Sequence, residues 1–74
     1  MSRHTKHNPD YEIAYGLDHV LGYFVQVFER NSQDDEQPIL DLDESRNGLT
    51  PERIVSIADD YGIKVELHEF LEDK

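Results

Sequence analysis

Tyr23-Phe24-Val25-Gln26-Val27-Phe28 decides the fold, because it is apolar on both faces of an extended chain. Side chains alternate across a strand, so Tyr23, Val25 and Val27 share one face while Phe24 and Phe28 flank Gln26 on the other. β-Branched and aromatic residues in this alternation predict a strand over 22–29. A strand apolar on both sides is central in its sheet, or has its second face covered by something else. Upstream, Tyr11, Ile13, Tyr15 and Leu17 alternate with Glu12, Ala14 and Gly16, which predicts a half-buried strand over 11–17. The residues from Asp18 to Gly22 then read as a hairpin loop.

Downstream, Glu29 to Gln37 is polar and rich in breakers, so it reads as a mobile loop. Pro38 opens a short third strand over 38–42, in which Leu40 and Leu42 alternate with Asp41. Proline is tolerated at the start of a strand, most easily at an edge. The helix signal follows. Thr50 is a good N-cap, and Pro51 sits where its missing N–H costs nothing. Ile54, Ile57, Ala58 and Tyr61 form one apolar stripe on a helix over 51–61. Leu49 can staple onto Ile54. Gly62 and Ile63 suit a left-handed C-terminal cap with an apolar contact. The last stretch is ambiguous: Ile63, Val65 and Leu67 alternate like a strand, while Leu67, Phe70 and Leu71 have helical spacing.

The expectation is an α+β domain over 10–74, a three-stranded antiparallel β-meander packed by one helix, with a short C-terminal strand or helical segment. Residues 1–9 read as a flexible tail ending in Asn8-Pro9. The expected core is Ile13, Tyr15, Val25, Val27, Leu42, Leu49, Ile54, Ile57 and Ala58. One helix covers one sheet face. The Phe24/Phe28 face is left to the C-terminal segment, to a second copy in a homodimer, or to a foreign partner.

Seventy-four residues make one domain with a small core. There is no cysteine, hence no disulfide framework and no Cys-ligated zinc. No apolar run approaches the ~18 residues of a membrane helix. The first seven residues lack the apolar stretch of a secretion signal. A cytoplasmic protein is expected. The formal net charge is −10. With Arg3 and Lys6 set aside, five basic and seventeen acidic residues remain, a balance of −12. Direct binding to nucleic acid needs clustered cations and is not expected. A negative field instead favours basic partners and solubility.

Asp43-Glu44-Ser45-Arg46-Asn47-Gly48 matches the start of a calcium loop at Asp43, Ser45, Asn47 and Gly48. It then fails, because the position of the bidentate Glu is Ile54. His4 and His7 have ligand spacing but no further ligand nearby. His19 lies beside Asp18, and no motif places a nucleophile near it. No phosphate-cradling glycine motif occurs. Catalysis and cofactor binding are not expected.

The stretch from Tyr15 to Phe28, with Asp41-Leu42-Asp43 and Gly48-Leu49-Thr50, resembles a pattern in short bacterial and mobile-element proteins of no established activity. That resemblance implies a fold unit and no chemistry. By size and acidity alone, the chain is also similar to small anti-CRISPR and other nucleic-acid-mimic inhibitors. The functional expectation is a non-enzymatic protein that binds a basic partner, such as a nucleic-acid-binding protein, as an inhibitor. Its candidate contact acids are Asp34, Asp35, Glu36, Asp41, Asp43, Glu44, Asp59 and Asp60. Tyr23, Phe24 and Phe28 are candidate aromatic contacts. The alternative is a small regulatory or calcium-binding module around Asp43, Ser45 and Asn47.

Overall fold

The computed structural model describes residues 2–30 and 37–71. The expected strands at 11–17 and 22–29 are β2 (Tyr11–Asp18) and β3 (Gly22–Glu29). They sit inside a four-stranded antiparallel sheet of order β1-β2-β3-β4, with β1 at Ser2–His7 and β4 at Leu40–Asp43. The α+β class and the meander therefore stand, with one strand more than expected.

The added strand is the segment read as a tail. β1 pairs with β2 from Ser2↔Leu17 to His7↔Glu12. Asn8 is a turn residue rather than the end of a flexible lead. Its Oδ1 accepts the N–H groups of Asp10 at 2.9 Å and Tyr11 at 2.7 Å, and its own N–H donates to the Tyr11 carbonyl at 2.9 Å. This is the local bonding by which asparagine builds a turn. β1 carries no apolar residue, so it has no hydrophobic period to read. An edge strand can be held by its ladder and by side-chain contacts alone.

At the second hairpin, Asp18 Oδ1 accepts the N–H groups of Val20 at 2.7 Å and Leu21 at 3.1 Å. Gly22 closes that loop at φ 76°, where a Cβ would fall 2.8 Å from the Glu44 Cβ. Only glycine fits there. On the far side, Val25↔Leu42 and Val27↔Leu40 align β4 with β3.

The calcium-like stretch forms α1 (Glu44–Asn47), not a ligand loop. Asp43 is its N-cap, accepting the Arg46 N–H at 2.7 Å, and the Ser45 N–H bonds the Leu21 carbonyl at 3.1 Å. The expected helix is α2 (Pro51–Asp60), capped by Thr50. It ends as expected: Ile63 N–H reaches the Ala58 carbonyl at 2.9 Å, and Gly62 N–H reaches that of Asp59 at 3.0 Å. These are the paired bonds of a Schellman end. The ambiguous C-terminal stretch resolves as both readings in turn: an extended run over 63–66, then α3 (His68–Leu71).

The core joins Ile13, Tyr15, Val25 and Val27 of the sheet to Leu49, Ile54, Ala58, Ile63, Val65 and Phe70. Leu42 and Ile57, expected inside, are half-buried at its edge. Phe70 lies against Tyr15, with ring centroids 5.5 Å apart, and edge-on to Tyr23 at 5.9 Å. The C-terminal segment therefore packs on the same side of the sheet as α2. It does not cover Phe24 and Phe28.

Candidate protein-binding surfaces

The register sets out the other side of the sheet in rows. One row runs Arg3, Gly16, Phe24, Asp43 across the four strands, and the next runs Thr5, Ala14, Gln26, Asp41. His7, Glu12 and Phe28 make a third. Arg3, Thr5, His7, Glu12 and Asp41 are exposed, and Phe24, Gln26 and Phe28 are half-buried. No described helix packs over them. Ala14 and Gly16 are buried by their taller neighbours. Arg3 contributes to that cover, because its guanidinium carbon stands 5.8 Å from the centre of the Phe24 ring across Gly16. Such a cation–ring contact at an exposed site is worth about 0.5–1 kcal/mol. Beside it, Arg3, Asp18, Phe24, Asp41 and Asp43 line a cleft of about 140 Å³.

The candidate acids do not form one stripe. Asp41 is exposed on this face. Asp43 is 1% exposed, and its two carboxylate oxygens accept the Arg46 backbone N–H at 2.7 Å and the Arg46 Nε at 2.6 Å. The Arg46 N–H holds its pKa below the usual carboxylate value, against burial and helped by the guanidinium. Asp43 is a structural cap with little to offer a partner. Glu44 is exposed but braces the hairpin, accepting the Tyr23 N–H at 3.2 Å. Tyr23 itself points to the core side, so it does not join Phe24 and Phe28. Asp34, Asp35 and Glu36 lie outside the described residues.

Asp59 and Asp60 are on α2, across the sheet from Phe24. Both are exposed, as is Glu52. Glu52, Asp59 and Glu66 rim a shallow groove of about 660 Å³ between α2 and the extended run, floored by Val55, Ile63 and Val65. Among the described residues, Glu52, Asp59 and Asp60 make no ion pair. Lys64 bridges to Glu66 at 3.4 Å. The helix side thus presents Glu52, Asp59 and Asp60 beside the exposed Arg53 and Lys64.

The metal reading finds no geometry. Asn47 Oδ1 accepts the Asp43 N–H at 3.1 Å, which commits it to the α1 turn. Strand alternation puts His4 toward Tyr15, where the rings stack at 5.4 Å, and His7 on the opposite face. Among the described residues, no three His, Asp or Glu side chains converge as metal ligands.

One polar cluster lay beyond sequence reading. Glu69 accepts the Tyr15 hydroxyl at 2.7 Å, the Lys6 ammonium at 2.9 Å and the Glu66 N–H at 2.8 Å. Partial burial pushes its pKa up, but the Glu66 N–H, the Tyr15 O–H and Lys6 outweigh that and hold it at about 2. Lys6 also donates to the Lys64 carbonyl at 3.2 Å. The cluster ties α3 to β1 and β2. No helix among the described residues is long and apolar enough to cross a membrane. No family model matches the chain, and neither a curated protein nor a solved structure matches it.

Proposed function

We propose that this chain is a non-enzymatic binding protein whose acidic helix side engages a basic protein, in the manner of a nucleic-acid-mimicking inhibitor. The observation that carries the reading is the segregation of charge. Lys6 and Arg46 are paired with Glu69 and Asp43, while Glu52, Asp59 and Asp60 face solvent with no ion pair among the described residues. A basic surface that normally holds phosphates would find carboxylates on a rigid helix with an apolar groove beside them. Unscreened surface charge of one sign speeds encounter and selects partners of the other sign.

The test is capture of basic, nucleic-acid-binding proteins on the immobilised chain. Capture is expected at low salt, to be lost at high salt as surface charges are screened, and to be displaced by added duplex DNA. Asp59→Asn with Asp60→Asn and Glu52→Gln should weaken capture about tenfold or more, while Asp43 variants should act only through stability. Capture that ignores salt, DNA and these substitutions would sink the reading. The calcium-module alternative has no observation in its favour, because its residues cap α1.

A further inference from the structure

We propose that the groove between α2 and the extended run over 63–66 takes an extended, basic segment of the partner protein, which adds to the run as a strand. The inference rests on the binding reading above and names what that side of the chain grips.

The run has one edge committed and one edge open. Successive residues of an extended chain turn their N–H and C=O groups to opposite edges. Lys64 and Glu66 face the polar cluster. The Lys64 carbonyl accepts the Lys6 ammonium at 3.2 Å, and the Glu66 N–H donates at 2.8 Å to the Glu69 oxygen that Lys6 also holds. Ile63 and Val65 therefore face the other way, toward α2. The Ile63 N–H agrees with this, since it donates to the Ala58 carbonyl of α2 at 2.9 Å. Three groups remain on that edge: the Ile63 carbonyl, the Val65 N–H and the Val65 carbonyl. None of them bonds a described residue. Yet Val65 is 3% exposed, and backbone groups of so buried a residue are ordinarily paired. A strand added at this edge would bond all three.

The helix wall fits such a strand in length and charge. Glu52, Val55, Ser56 and Asp59 line the groove from one face of α2. Glu52 and Asp59 stand about 10 Å apart along the helix axis. That is about three residues of extended chain. A strand laid there turns alternate side chains down onto the apolar floor and the others up past the rim. Lys64 is taken by Glu66, and Arg53 lines a separate cleft with Leu42 and Asn47. Glu52 and Asp59 are therefore the rim charges open to a partner. They select a segment in which Lys or Arg alternates with apolar residues. A second copy would bring a net charge of −10, and a nucleic acid would bring phosphates, so both are repelled.

The probe is a synthetic peptide, acetyl-Val-Lys-Val-Lys-Val-Lys-Val-amide, titrated onto the full chain and followed by NMR. The Val65 amide signal should move, and its hydrogen exchange should slow as the N–H gains a partner. The same residues ordered in blocks keep the charge and lose the alternation, and should bind about tenfold more weakly or worse. Alternate amides are then N-methylated, one set at a time, which removes the donors of one edge and leaves the charge. At least one of the two forms should lose about tenfold or more. Glu52→Gln with Asp59→Asn, both at exposed positions, should weaken the parent peptide to a similar degree, with folding checked by circular dichroism. An unmoved Val65 amide overturns the proposal. So does a block-ordered peptide that binds equally, or two methylated forms that both bind like the parent. A Val65 shift on concentrating the chain alone would give the edge to a second copy and overturn it too. In any of these cases, salt-sensitive capture of basic proteins would leave the broader reading standing on surface charge, and failed capture would remove both.

Discussion

Phe70→Ala is expected to cost about 3–5 kcal/mol, the range for emptying a fully buried aromatic site. Phe70 is 1% exposed and touches the rings of both Tyr15 and Tyr23. The whole stability of a domain this size is only several kcal/mol. The variant should therefore be largely unfolded at room temperature, or melt far below the parent. Thermal and urea unfolding followed by circular dichroism measure it. A loss below about 1 kcal/mol would mean that α3 is not part of the core.

Glu69→Ala should cost about 1–3 kcal/mol, because it removes the carboxylate that accepts the Tyr15 hydroxyl, the Lys6 ammonium and the Glu66 N–H. Acid should reproduce part of the effect. A carboxylate held at about 2 in the folded chain has an ordinary, higher value when unfolded. Its contribution is complete above the ordinary carboxylate value near 4.5 and is lost as pH falls from there through about 2. The parent should lose melting temperature across that window more steeply than Glu69→Gln does. Asp18 and Asp43, also shifted down, add to the slope in both chains, so the difference between the chains isolates Glu69. Parallel acid profiles would remove Glu69 as the cause.

The parts legible in the sequence are those with a hydrophobic period or a turn residue of fixed meaning. β2 and β3 were read from alternation, and α2 from Thr50-Pro51, its stripe and Gly62. β1 was not legible because Arg3, His4, Thr5, Lys6 and His7 bury no apolar side chain as they pair. A polar edge strand looks like a polar tail until Asn8 is seen bending the chain back. α1 was not legible because one residue set serves two purposes. Asp43, Asn47 and Gly48 suit the start of a calcium loop and equally suit a capped single turn, and only the distance to Arg46 separates them. The Phe24/Phe28 face was foreseen as needing cover. Which side Phe70 would take was not, because periodicity gives the face of an element and not the layer above it. Glu69 stood out from seventeen acids by nothing but its partners, which lie on distant segments.

The bond from Lys6 to Glu69 joins positions 63 apart, while β1, β2 and β3 meet through short hairpins. Closing a short loop costs less chain entropy than closing a long one, so the meander should zip first and the clamp should shut last. A contact missing from the transition state leaves the folding rate alone and governs the rate of escape from the native state. The clamp therefore acts on the lifetime of the folded molecule rather than the speed of its formation. Removing Glu69 should move only the unfolding arm of a chevron plot, whereas slowed refolding would place the clamp inside the nucleus.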